Sequence, residues 1–219
     1  MKLILKRILE SFVLIAISAA LWQFILFPVA DTVNTKSPMS LLQNIYIIFG
    51  IGVLIFLINW YSKKQGYLNW RIALSDSSTK KWILFGLVST VILHFLSTFV
   101  GYIEGMPYLV LSNDSHGYYM SIDLMTTLLL APLAEELVFR KILTEVIFPK
   151  NLKISLLITG ILFTAFHFPM SAGEWVNQIG AAIVLSIIYY KTRKVEVGII
   201  VHFIMNLFIA SLMLWAMYK

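Results

Sequence analysis

Apolar stretches follow one another so closely along this chain that a bundle of membrane-crossing helices is the architecture they allow. They read as residues 8–29, 40–61, 82–103, 122–148, 154–169, 175–190 and 198–217, and about 20 apolar residues carry a helix across a bilayer. The expected fold is all-α: a polytopic transmembrane helix bundle of about seven spans, forming a single integral membrane domain over 1–219. The fifth and sixth stretches are the shortest, and six spans plus a re-entrant piece is the competing reading. Hydrophobic residues make up 59% of the chain and charged ones 13%, against roughly 45–50% and 25% in soluble domains. No room is left for a separate soluble domain. The first stretch follows Lys2, Lys6 and Arg7; it is longer than a signal-peptide core and is expected to be a retained span.

The basic residues set the expected orientation. Of 17 Lys and Arg, 15 fall on one side of a seven-span chain and only Lys36 and Lys219 on the other, and positively charged loops stay in the cytoplasm. The N-terminus is therefore expected to be cytoplasmic and the acidic connection 104–123 outside. The net charge of +6 lies in short tracts between apolar stretches, which points to the membrane surface and not to nucleic acid. With no cysteine, disulfides, thiolate nucleophiles and Cys-based metal sites are excluded.

The chemistry concentrates in residues 122–217; the N-terminal spans, 1–121, carry no motif. Glu135, Glu136 and Arg140 sit in one apolar run, APLAEELVFR, and each charge near a helix centre costs roughly 2.5–3.5 kcal/mol on insertion. A run with about 7–10 kcal/mol against it must turn its polar side to a protected interior. A structural Glu–Arg pair near the membrane boundary, with Arg140 and Lys141 snorkelling, is the bland alternative.

Helical spacing separates the two carboxylates. Glu136 and Arg140, four apart, share a stripe, while Glu135 is turned about 100° away and has no partner on its own helix. Arg140 neutralises Glu136, which leaves Glu135 as the candidate general base. Pro132 removes a backbone donor and should free a carbonyl or kink the helix beside the carboxylates. His167 lies in the next span, 16 residues after Asn151 as Glu135 lies 16 before it. Antiparallel helices with equal rise bring the two to similar depth, with room for a water between them. In the last span His202 and Asn206 share a face at i, i+4 and could cradle an oxyanion; interhelical glue is the plain alternative. His202 sits only four residues into its stretch, so the depths agree best if the 140–153 segment projects past the membrane.

Glu135-Glu136-x-x-x-Arg140, Phe163-x-x-x-His167 and His202-x-x-x-Asn206, in that order on successive spans, resemble the CPBP family of intramembrane proteases, the CAAX-prenyl proteases and their bacterial Abi relatives. The resemblance covers about residues 122–217. Most members have Gly after the motif arginine, where this chain has Lys141. It implies that Glu135 activates water with help from His167, that Glu136 and Arg140 hold the site in shape, and that His202 with Asn206 stabilises the oxyanion. Family members have been described as metalloproteases, and Glu135, His167 and His202 would be acceptable zinc ligands. No H-E-x-x-H pair exists to anchor a metal, which favours the metal-free mechanism without deciding it.

The resemblance further implies as substrate peptide bonds in small hydrophobic or membrane-associated peptides, such as bacteriocin or pheromone precursors, or CAAX-like C-termini in prenylating organisms; bacterial maturation or bacteriocin self-immunity is the expected role, and the charges at Arg140, Lys141, Glu145, Lys150 and Lys153 place the expected site toward the cytoplasmic side of the cell membrane. With 13 Lys to 4 Arg and many Ile, a bacterial source fits. Oligomeric state is not legible. Two other function classes suit the same residues: a non-catalytic immunity or scaffold protein whose polar cluster fixes packing, and a proton-coupled carrier using Glu135 and His167 as a relay. His94 is expected to be an interhelical donor and His116 a solvated loop residue. Trp60, Tyr61, Trp82, Trp175, Tyr189, Tyr190 and Trp215 are expected at span ends, as an interfacial belt. Ser89 and Ser186 lack a neighbouring base.

Overall fold

A computed structural model describes residues 5–7, 9, 41–105 and 126–217. The first apolar stretch, apart from Leu9, and the connection holding His116 lie outside these residues. Every regular element among the described residues is helical: α1 (Leu41–Lys64), α2 (Trp70–Ser75), α3 (Ser77–Glu104), α4 (126–147), α5 (Leu152–Phe166), α6 (Ala172–Thr192) and α7 (Val195–Met217). Ser77–Glu104 and Val195–Leu212 are long and apolar enough to cross a bilayer, and Leu152–Phe166 is a shorter apolar helix.

Side-chain caps set the helix starts, satisfying backbone donors that have no partner inside the helix. Asn69 accepts from the Ile72 N–H and opens α2, Asp76 accepts from Ser78 and opens α3, Asn151 serves Ile154 at the start of α5, and Ser171 serves Glu174 at the start of α6. Gly105, at φ 74°, ends α3 in the left-handed region that glycine enters without steric cost.

Beside an apolar core that includes Leu137, Phe163, Leu185 and Val201, the bundle also buries polar and charged side chains. Ser97, Thr159, Glu136 and Arg140 are buried, while Phe49, Phe56, Phe95, Phe99, Tyr102 and Ile103 lie exposed. An apolar exterior with small and polar residues between helices suits lipid, where close packing and interhelical hydrogen bonds hold helices together. The crossings bear this out. A methyl group on Gly173 of α6 would come within 2.7 Å of the Ser97 carbonyl of α3, and one on Gly86 of α3 within 2.4 Å of Val201 on α7. Gly173 lets two backbones meet and Gly86 lets the Val201 side chain reach the α3 backbone, because neither carries a Cβ.

α4 is one helical run with two registers. Thr126–Leu130 and Leu137–Ile142 are π-helical and enclose the α-helical Ala131–Glu136, before Leu143–Ile147 returns to α. Such turns are rare and mark functional segments more often than chance. The first one carries the effect expected of Pro132: in an i→i−5 register residue 132 would donate to the Thr127 carbonyl, and proline has no N–H. That carbonyl accepts instead from Asn206 Nδ2 of α7, at 2.7 Å.

Candidate active site

Glu135 and Glu136 fall at the end of the α-helical piece of α4, immediately before the second π turn. Facing them are His167, the residue that caps α5, and His202 on α7. Glu135 stands 12 residues from the end of α4 and His167 15 residues from the start of α5, a mismatch of about 4 Å along the axes. Side chains lean toward the N-terminus of their own helix. In this antiparallel pair Glu135 leans away from the 148–151 turn and His167 toward it, which closes the gap.

The result is a convergence on one carboxylate oxygen. His167 Nε2 is 3.7 Å from Glu135 Oε2, and His202 Nε2 is 3.8 Å from the same atom. The far nitrogens are already committed. His167 Nδ1 lies 2.8 Å from the Phe163 carbonyl and His202 Nδ1 lies 3.1 Å from Glu136 Oε1. A carbonyl and a carboxylate only accept, so both Nδ1 atoms carry the hydrogen. In the neutral rings both Nε2 lone pairs then point at Glu135 Oε2, an oxygen with no hydrogen-bond partner among the described residues. Three acceptor atoms too far apart to touch leave a place that suits a hydrogen-bond donor such as water.

Beneath this opening lies a dry support. The Glu136 and Arg140 side chains are 0% exposed, whereas those of Glu135 and His167 are 20% and 23% exposed, so the first pair is sealed inside the bundle and the second is partly open at its surface. Arg140 Nη1 is 3.2 Å from Glu136 Oε1, the oxygen that also holds His202. The Arg140 guanidinium rests 4.2 Å from the Phe163 ring centroid, and that ring lies 4.4 Å from His167 and 5.8 Å, edge-on, from His202. One arginine thus orients both imidazoles, His202 through Glu136 and His167 through Phe163.

Two residues gain a role that their sequence positions did not disclose. Phe163 was legible as the first residue of F-x-x-x-H, but its place under both histidines depends on how three helices cross. Gly198 gave no signal: a Cβ there would stand 2.9 Å from Glu136 Oε2, so the carboxylate lies against bare backbone of α7. Asn206 projects to the Thr127 carbonyl instead of toward Glu135, and His202 has its Nδ1 hydrogen on Glu136. The paired oxyanion cradle expected of these two is thus not preformed: Asn206 gives one amide hydrogen to α4 because Pro132 leaves that carbonyl open. His94 lies away from the cluster, edge-on to Phe208 at 5.5 Å. Among the described residues no three His, Asp or Glu side chains gather closely enough to hold a metal ion.

His202 is seven residues into α7 and His167 fifteen beyond the start of α5, so the 148–151 turn reaches roughly 10 Å past the start of α7 if the helices run parallel. The 140–153 segment is held by ion pairs of Glu145 with Lys141 and with Arg7.

Comparison with curated proteins and with solved structures gives no match. Comparison with family models matches residues 118–208 to "Type II CAAX prenyl endopeptidase Rce1-like", a segment that contains Glu135, Glu136, Arg140, Phe163, His167, His202 and Asn206. Residues 118–208 of this chain are accordingly similar to the Rce1-like type II CAAX prenyl endopeptidases, a family of intramembrane proteases that hydrolyse peptide bonds.

Proposed function

We propose that this protein is an intramembrane endopeptidase that cleaves small hydrophobic or membrane-associated peptides with water activated by Glu135. The observation that carries the reading is the meeting of Glu135 Oε2 with two imidazole lone pairs at 3.7 and 3.8 Å. A water seated among them donates one hydrogen to Glu135 and one to an imidazole. Glu135 takes its proton as the water oxygen attacks the peptide carbonyl, and returns it to the leaving amide nitrogen. The products are a carboxylate and an amine. The hydroxyl proton left on the tetrahedral intermediate passes to an imidazole as the C–N bond breaks, which leaves the product as a carboxylate, and the amide hydrogen of Asn206 not given to Thr127 is the candidate donor to the oxyanion. Glu136, Arg140 and Phe163 position the histidines.

The proposed setting is a multi-pass protein of the cell membrane with a cytoplasmic N-terminus and its site toward the cytoplasmic face; the distribution of 15 of 17 basic residues supports it. The proposed role is maturation of a bacterial peptide or self-immunity to one. Zinc on Glu135, His167 and His202 would supply a Lewis acid to the same water. The side chains as placed do not form a metal-binding group, and the proposed reaction runs without one.

The test is cleavage of a hydrophobic peptide by the purified protein in bilayers, with and without a chelator, beside Glu135→Gln. The expected result is turnover by the wild type that survives chelation and is lost in the variant, at equal membrane abundance. Equal cleavage by wild type and Glu135→Gln would overturn the proposal, and loss of wild-type turnover with chelator would overturn its metal-free form.

A further inference from the structure

Away from the active site, α5 and α6 enclose a groove of about 560 Å³ on the outside of the bundle. Its walls are aliphatic except for a few groups whose positions are ordered along its length. Lys153 and Lys191 stand at one end beside Tyr190, and Ser186 and Thr164 lie further in. The ring of Tyr190 gathers three cations, Lys153 at 5.8 Å, Lys191 at 5.9 Å and Arg193 at 5.5 Å from its centroid. The next cation along the chain, Lys194, is paired with Asp76. No carboxylate is paired with the three around Tyr190 among the described residues. Three cations disposed around one ring attract an anion placed among them.

The groove continues from these cations along α5 as far as Ala165, about 18 Å of helix, which is slightly more than the roughly 15 Å depth of one leaflet's hydrocarbon. Gly160 makes the floor deep: a methyl there would stop 3.8 Å from Ala182 and from Ser186. Ser186 Oγ is buried without a hydrogen-bond partner among the described residues. It lies five residues from Lys191, about 7 Å further in, the height at which ester carbonyls hang below a phosphate. A phosphate, an ester and an acyl chain are met in the order in which a glycerophospholipid presents them.

We infer that this groove binds one anionic phospholipid, its phosphate held by Lys153, Lys191 and Arg193 around Tyr190, its ester facing Ser186 and one acyl chain running over Gly160. The occupant is a bilayer lipid of the leaflet that bathes the basic ends of α5 and α6, where negative headgroups concentrate. The site is independent of the peptidase reading and involves none of its residues.

The test uses the full-length protein, delipidated in detergent and titrated with phosphatidylglycerol or phosphatidylcholine of the same acyl chains, with bound lipid counted by native mass spectrometry. Wild type should retain phosphatidylglycerol at least about tenfold more tightly. Each of Lys153→Ala, Lys191→Ala and Arg193→Ala should weaken that lipid roughly fivefold and leave phosphatidylcholine unchanged. Gly160→Leu should displace both lipids by filling the floor. Equal retention of the two lipids by wild type overturns the inference, because ordinary contact lipid behaves that way. So does a triple alanine variant that keeps its preference. Failure to retain any lipid also overturns it, as expected if another segment of the chain covers the groove. The alanine variants lie at exposed helix ends, so they decide the matter even if Gly160→Leu does not fold.

Discussion

Gly198→Ala is the smallest change that should disable the candidate site without touching any polar residue in it. The new methyl carbon would stand 2.9 Å from Glu136 Oε2, about half an ångström inside van der Waals contact. Glu136 has nowhere easy to go: its side chain is 0% exposed and one of its oxygens serves both Arg140, at 3.2 Å, and His202, at 3.1 Å. A retreat of half an ångström lengthens the His202 contact to roughly 3.6 Å, past the hydrogen-bond limit. Overpacking of a dense interior costs about 1–3 kcal/mol, and a hydrogen bond to a charged group contributes about 1.5–3 kcal/mol. The expected loss of stability is therefore about 2.5–6 kcal/mol, offset by about 0.5–1 kcal/mol because alanine is the better helix former. His202 would lose the partner that fixes its ring, and displacement of about an ångström in a catalytic group can cost roughly 100-fold in rate. Thermal unfolding in detergent and peptide turnover in bilayers, measured on the same preparation, read both effects. Gly160→Ala is the control, because its methyl would meet neighbours only at 3.8 Å and should leave turnover and stability near wild type. Unchanged kcat and an unchanged unfolding midpoint in Gly198→Ala would refute the reasoning.

Arg140→Ala should destabilise the protein by about 3–5 kcal/mol, because it strands the buried Glu136 carboxylate and removes the guanidinium from Phe163; chemical denaturation of the membrane-extracted protein measures it. Asn206→Ala should cost about 1 kcal/mol by leaving the Thr127 carbonyl without its donor. In that variant an unfolding midpoint equal to wild type would show the bond to be dispensable. The hydrogen bond from Lys194, joined by those from Ser78, holds the Asp76 carboxyl down at about 2, below its ordinary 3.8. A depressed carboxylate adds stability above its unfolded value and loses it as pH falls through the folded one. The midpoint difference between wild type and Asp76→Asn should therefore be constant above about pH 5, fall as the pH drops through 2 and vanish near pH 1; a difference that persists undiminished at pH 1 would sink this assignment.

The legibility of the site in the sequence tracks the range of each interaction. Glu136 and Arg140 pair across one helical turn, and i, i+4 spacing alone announced that contact. Glu135 and His167 meet across a short hairpin, where equal rise on either side of Asn151 gave nearly the right depth, and the lean of the two side chains made up the remainder. Asn206 is the instructive departure. Its spacing from His202 placed both on one face, but its amide goes to a carbonyl that Pro132 leaves open inside a π turn. A π turn inserts one residue and rotates the remainder of the helix by about 100°, and no apolar periodicity marks where that happens. The close passage of α7 over Glu136 was equally hidden, because a glycine in an apolar helix looks the same whether it faces lipid or a carboxylate.

From its residues alone this chain was bound to be helical and apolar outside, because a backbone in lipid must satisfy its own hydrogen bonds, and bound to gather its few ionisable groups in residues 122–217 away from hydrocarbon. The tertiary structure decided which oxygen the histidines address, which carboxylate the arginine neutralises in a sealed interior, and which one stays partly exposed. Those outcomes depend on helix crossings of a few ångströms, set by Gly86, Gly173 and Gly198 meeting neighbours far away in sequence, and distances of that kind exist only once the helices have packed.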